Sequence, residues 1–163
     1  MLAVPEAKGA ARLQQARLLA LLIPSGLLGG ALLSQYAGGL YPCEMCYWQR
    51  WPHGAAILLA LGALATRSYP SATRSLTLLA AVAVAVSGAI GVFHAGVEYG
   101  WWEGITRCAT AGGGTLEDIM SVPLVQCDQV QWSFLGLSLA GWNAVISLGG
   151  AVLIAWLALR NRP

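Results

Sequence analysis

Residues 76–96 read LTLLAAVAVAVSGAIGVFHAG. No charged side chain interrupts this run, and roughly 20 mostly apolar residues are what an α-helix needs to cross the hydrocarbon core of a bilayer. Three other stretches have the same character: Arg17–Tyr36, Cys46–Ala65 and Phe134–Leu159. The last is long enough to tilt, and Pro24-Ser25-Gly26 predicts a kink in the first. The whole chain agrees: 57% of its residues are hydrophobic and only 10% charged, against about 25% charged in a soluble domain. The sequence therefore predicts an all-α membrane protein. Residues 1–163 form one domain, a four-transmembrane-helix bundle with spans at 17–36, 46–65, 76–96 and 134–159. Two longer polar segments, 37–45 and 97–133, lie on one side of it.

Charge placement orients the bundle. Lys8, Arg12 and Arg17 precede the first span, Arg67 and Arg74 lie between the second and third, and Arg160 and Arg162 follow the fourth. Seven of the nine basic residues thus share one side, accompanied by a single acid, Glu6. Lys and Arg concentrate on the cytoplasmic side of membrane proteins, so both termini are expected in the cytoplasm and both cysteine-bearing loops outside. The basic start and apolar run also fit a cleavable signal peptide, but no A-x-A site ends the run, so it reads as a retained span. No basic stripe with interleaved aromatics exists, which excludes nucleic-acid binding as a reading.

All four cysteines fall in or at the edge of the outer segments: Cys43, Cys46, Cys108 and Cys127. An even count confined to an oxidising face is coherent with disulfides. Four cysteines allow three pairings, and the sequence does not choose among them, although local geometry favours Cys43–Cys46. A two-residue separation gains little from loop closure, so a purely structural staple is the weaker reading of that pair. Zinc commonly takes two C-x-x-C knuckles, whereas the second pair here is widely spaced, so no metal is expected. Haem attachment would need His after Cys46, where Tyr47 stands. Thiol redox chemistry remains. A helix N-terminus and a nearby cation both favour the reactive thiolate.

Arg50 is that cation. It follows Cys46 by four residues, which puts both on one helical face if the helix has begun there. A guanidinium so placed stabilises the Cys46 thiolate and any other negative charge at the membrane surface. The alternative is a lone Arg snorkelling to the interface. Pro52 complicates the reading, because proline is tolerated in a first turn and so allows the span to start after Cys46. His94 is an ionisable group near the outer end of the third span and a functional candidate by default. Trp48, Trp51, Tyr99, Trp101, Trp102 and Trp132 read as an interfacial belt. Leu116-Glu117-Asp118-Ile119-Met120 reads as a short helix on the membrane surface.

These features together resemble the bacterial DsbB family. The resemblance rests on a C-x-x-C at the entry to the second span, Arg50 four residues after its second cysteine, and a second cysteine pair between spans three and four. It rests also on Gln131-Trp132-Ser133-Phe134-Leu135-Gly136-Leu137 after Cys127, and on His94 in span three. The resemblance implies an inner-membrane protein-disulfide:quinone oxidoreductase with its redox loops in the periplasm. Such a protein reoxidises a soluble DsbA-like thiol oxidase and passes the electrons to ubiquinone or menaquinone. It implies that Cys108 meets the partner's thiolate, that Cys127 is its partner in a loop disulfide, and that Cys43 and Cys46 receive the electrons. It implies further that Cys46, Arg50 and, less directly, His94 face the quinone. Two rivals compete with this reading. A vitamin-K-epoxide-reductase-like enzyme resembles it, but that family carries its active C-x-x-C at the last helix of the bundle, and here the pair follows the first span. The other is a non-catalytic membrane protein whose disulfides brace its outer loops.

Overall fold

The computed structural model describes residues 3–105 and 126–160. Four long helices dominate: α1 (Ala3–Tyr36), α2 (Glu44–Ala65), α3 (Pro70–Glu98) and α4 (Leu139–Leu159). A two-residue antiparallel pair, β1 (Ser133–Phe134) with β2 (Leu137–Ser138), leads into α4. Among the described residues, three helices are long and apolar enough to cross a membrane: Gly9–Tyr36, Pro70–Glu98 and Leu139–Leu159. The chain is thus a multi-pass membrane protein. The second helix has the length, 22 residues, but falls short in apolar character. Its first ten positions hold Glu44, Gln49, Arg50 and His53, and the last three help to build the site described below.

The helix bounds refine the expected spans. The first helix begins well before Arg17, because nothing in the preceding polar residues breaks it, and Pro24 lies within continuous helix. The second begins at Glu44, with Cys43 as its N-cap: Cys43 Sγ accepts the Cys46 N–H at 3.3 Å. Pro52 is therefore interior rather than in the first turn, and Cys46 and Arg50 do share a face. Proline removes one rung of the backbone ladder. The rung lost is the one to the Trp48 carbonyl; at the next residue Ser87 Oγ of α3 donates to the Gln49 carbonyl at 2.8 Å.

The fourth helix starts at Leu139 and not at Phe134. Residues 134–137 make a tight turn in which Leu135 and Gly136 have φ of 51° and 79°, the primed geometry that matches hairpin twist. Ser138 then caps the helix, its Oγ accepting the Gly141 N–H at 3.1 Å. Tyr99 at the end of α3 pins the turn: its hydroxyl donates to the Gly136 carbonyl at 3.2 Å and accepts the Ser138 N–H at 2.9 Å. The belt residues are not all simple anchors. Trp51 and Trp101 are exposed, but Trp102 stacks on Phe93 at 5.8 Å between ring centroids and donates to the Phe93 carbonyl at 2.9 Å. The proposed surface helix at 116–120 lies outside the described residues.

Helices pack around a core of small side chains. Ala16, Ala20, Ala56, Ala60, Ala80 and Ala158 are buried around Val84 and Ile154, while Leu22, Leu58 and Val152 point outward. Small interface residues and large apolar outer ones are the pattern of helices packed within lipid, where apolar burial gives no preference for the interior. The third helix packs most extensively on α4 and α2. At Gly91 it lies against the α4 backbone: a Cβ there would sit 3.0 Å from the Ala140 carbonyl oxygen and 3.1 Å from the Ala144 nitrogen.

Gly91→Val is expected to force α3 and α4 apart at a cost of about 1–3 kcal/mol. A lowered thermal midpoint in detergent is the readout. Gly149→Ala, at a position where an added Cβ meets nothing within 4 Å, serves as the control and should not lower it.

Candidate functional site

The N-terminal turn of α2 brings three cysteines together. Cys43 Sγ donates to Cys46 Sγ at 2.9 Å, and Cys127, from the segment before β1, packs with Cys43, Met45 and Val97. Cys43 is 1% exposed, Cys127 is 8% exposed, and Cys46 is more open than either. Cys43 and Cys46 are free thiols in this structure. Cys108 lies outside the described residues. Although Cys43 caps a helix, the hydrogen bonds to Cys127 and Cys46 and its burial push its thiol well up from the ordinary range. Cys43 therefore holds a proton and offers it to its neighbours, and Cys46 is the better placed nucleophile.

His94 reaches the same cluster from α3. Its Nε2 lies 3.5 Å from Cys43 Sγ and 3.8 Å from Glu98 Oε1. Glu98 in turn accepts a short hydrogen bond from Ser138 Oγ. Behind His94 runs a chain of polar side chains that were not singled out in the sequence: Gln49, Asn143, Ser87, His53 and Ser147. Each sits inside an otherwise apolar helix, which is the signal that could have found them.

Hydrogen-bond sense propagates along this chain from two backbone carbonyls. Asn143 Nδ2 donates to the Ser87 carbonyl at 3.2 Å and to Gln49 Oε1 at 2.8 Å. Gln49 Nε2 donates to the Met45 carbonyl at 3.2 Å. The Gln49 amide is thereby oriented at both ends, and its Nε2 also faces His94 Nδ1 at 2.8 Å. His94 Nδ1 must then accept, so the neutral ring carries its proton on Nε2, toward Cys43 and Glu98. On the other side, Asn143 Oδ1 accepts from Ser147 Oγ at 2.9 Å and faces His53 Nε2 at 2.9 Å.

This ordering bears on metal binding. The ligand atoms of Cys43, Cys46 and His94 lie within 4.8 Å of one another, close enough to surround an ion. A metal-ligating histidine normally donates its other ring N–H to an acceptor. Here the other nitrogen meets the donor Gln49 Nε2, so His94 presents a proton and not a lone pair to the cluster. The arrangement suits thiol exchange better than ligation.

Arg50 points from α2 to α1. Its guanidinium donates to Gln35 Oε1 at 2.5 Å and to the Ala31 carbonyl at 3.3 Å, and lies 5.2 Å from the centre of the Tyr47 ring. Its Nε is buried and has no hydrogen-bond partner among the described residues. Arg50, Cys46, His94 and His53 line one cavity of about 260 Å³, together with apolar residues that include Leu27 and Trp142. An apolar chamber with a few convergent polar groups is the usual form of a small-molecule site. Of the residues singled out in the sequence, Cys43, Cys46, Cys127, Arg50 and His94 thus converge.

The family described as Disulfide bond formation protein DsbB matches residues 13–157, which include all or most of every helix. The chain belongs to the DsbB family. The Disulfide bond formation protein B of Aromatoleum aromaticum is 32% identical over 150 residues, covering 85% of this chain and 87% of that protein. The protein of the same name from Methylococcus capsulatus is 32% identical over 151 residues, covering 85% of this chain and 91% of its own length. No solved structure matches. Membership in the DsbB family makes the chain an oxidoreductase of disulfide bond formation built on membrane helices.

In the reduced protein, iodoacetamide at neutral pH is expected to modify Cys46 ahead of Cys43, because Cys43 is buried and holds its proton. Peptide mass mapping over a time course reads the order. Equal rates at both would contradict the assignment of the proton to Cys43.

Proposed function

We propose that this chain is a protein-disulfide:quinone oxidoreductase of the bacterial inner membrane, reoxidising a DsbA-like thiol oxidase in the periplasm. In this reading residues 1–163 form one membrane domain. The second helix crosses as a fourth span with its polar face turned inward, both termini are cytoplasmic, and the loops carrying the cysteines face the periplasm. The observation that carries the proposal is a juxtaposition. The cavity that holds Cys46 and Arg50 also reaches Cys43, against which Cys127 is packed.

The cysteines divide the work. A thiolate of the partner attacks Cys108 in the Cys108–Cys127 disulfide and releases Cys127. The partner's second thiol then displaces Cys108, so the partner leaves as a disulfide and the loop holds two thiols. Cys127, as thiolate, attacks Cys43 in the Cys43–Cys46 disulfide and releases Cys46. Attack of Cys108 on Cys127 restores the loop disulfide and leaves Cys43 and Cys46 reduced. The packing of Cys127 on Cys43 supports this route. His94 Nε2–H faces the sulfur being attacked and stabilises negative charge there.

The chamber fits a quinone. Its walls are largely apolar, and Arg50 Nε is a buried donor awaiting an acceptor, which a ring carbonyl supplies. A bound quinone contributes a two-electron acceptor that takes up two protons as Cys43 and Cys46 return to the disulfide. Arg50 holds negative charge on the cavity side of Cys46, anchored by Gln35 and Ala31 of α1. The planar fork of Arg50 makes both α1 contacts at once, which a lysine ammonium cannot reproduce.

Arg50→Ala is expected to lower quinone-dependent oxidation of a reduced DsbA-like protein by at least about tenfold. Arg50→Lys should raise the quinone concentration needed while keeping part of the turnover. Wild-type quinone dependence in Arg50→Ala would make Arg50 an interfacial anchor and move the quinone site.

Partner trapping tests the division of labour. Cys127→Ala is expected to accumulate a mixed disulfide with the DsbA-like partner on non-reducing gels, and Cys108→Ala to accumulate none. Equal trapping by both would overturn the roles.

A further inference from the structure

His53 lies one helical turn below Arg50, 3% exposed, in the wall of the same cavity. Its Nε2 is 2.9 Å from Asn143 Oδ1 and 2.9 Å from Ser87 Oγ. Asn143 is oriented by the Ser87 carbonyl, so Oδ1 is the atom that faces the ring. The Ser87 hydroxyl proton is already committed to the Gln49 carbonyl at 2.8 Å. Both neighbours therefore accept, and Nε2 must carry the ring proton. In the neutral ring Nδ1 is then a bare acceptor. It is buried and has no hydrogen-bond partner among the described residues.

Two residues that line the cavity, three positions apart on α2, thus carry buried groups of opposite sense without a partner among the described residues: a donor at Arg50 Nε and an acceptor at His53 Nδ1. An oxidised quinone has only acceptor oxygens and satisfies the donor alone. A quinol has hydroxyl protons and satisfies both. We propose that His53 is a ligand-binding residue whose bare Nδ1 accepts a hydrogen bond from a quinol hydroxyl, so that the cavity favours the reduced form of its ligand. This rests on the quinone reading above and adds a residue and a preference to it. Leaving a buried acceptor unpaired is costly, so the preference is expected to be about tenfold. For a two-electron couple that is an upward shift of about 30 mV in the potential of the bound quinone. The shift favours electron transfer out of Cys43 and Cys46, and the same hydrogen bond slows release of the product.

The test uses the full chain in detergent with Cys46→Ala, which stops electron exchange with the ring. Decyl-ubiquinone and decyl-ubiquinol are titrated anaerobically while quenching of tryptophan fluorescence is followed; Trp132 and Trp142 line the cavity. The expected result is about tenfold tighter binding of the quinol. The preference should disappear in His53→Phe, with quinone affinity changed by less than about threefold. Because His53 also supports Ser87 and Asn143, an unsubstituted readout accompanies it. The chain has only two histidines, so ¹⁵N-histidine labelling gives two resolvable rings. The His53 Nδ1 resonance should be that of an unprotonated nitrogen and should move on adding quinol but not quinone. A protonated Nδ1 in the free protein, or equal movement with both ligands, would overturn the proposal, as would an undiminished preference in a folded His53→Phe. Failure of both ligands to bind the His53-containing protein would overturn the quinone reading and this proposal together. Binding of both without preference would overturn this proposal alone.

Discussion

The hydrogen bond from Asn143 Nδ2 to Gln49 Oε1, 2.8 Å long, is the contact on which the functional end of this bundle depends. It joins α4 to α2 across the interior, where an unpaired amide would be costly. Because an amide has one donor end and one acceptor end, fixing it also fixes its neighbours. Gln49 then faces His94 with a donor, and Asn143 faces His53 with an acceptor. This bond, with the Met45 and Ser87 carbonyls that orient the two amides, therefore decides which nitrogen of each histidine bears a proton. His94 offers that proton to the cysteines, and His53 is left with a bare nitrogen in the cavity wall.

Small residues make this network possible. With Gly91 against the backbone of α4, the third and fourth helices come close enough for Asn143 to reach both Ser87 and Gln49. A polar cluster held by short side chains at a close helix crossing is rigid, and rigidity is what a site needs if proton positions are to matter. The thiol side is built differently. Cys127 lies in a turn before β1, in a segment anchored at its far end by the Tyr99 contacts to the turn that caps α4. Cys43 and Cys46 are built into the start of a helix, whereas Cys127 comes from a connecting segment.

Much of this was legible in the chain itself. Apolar runs are local properties, and the helices follow them, with differences at the ends where capping decides. Ser138 and the Leu135–Gly136 turn delay α4, and Cys43 advances α2, because caps depend on side-chain bonds that hydropathy does not register. The Cys43, Cys46 and Arg50 constellation was readable because all three lie on consecutive turns. The approach of Cys127 to Cys43, and the Gln49–His53–Ser87–Asn143 network, were not. Their partners stand 34 to 94 positions apart, so only the packing of the bundle reveals them. Pro52 allows a later helix start in the sequence; in the folded chain it lies inside α2, and His53 beside it is part of the cavity.

Coupling between the thiol face and the apolar chamber is the central claim, and stoichiometry tests it most directly. The purified full chain is mixed with a reduced DsbA-like protein and a limiting amount of decyl-ubiquinone under anaerobic conditions. The partner's thiols and the quinone absorbance are followed together. The account predicts one quinone reduced for each partner disulfide formed, with oxidation of the partner stopping when the quinone is exhausted. Oxidation of the partner beyond the initial complement of disulfides in the chain, without matching loss of quinone, would contradict it.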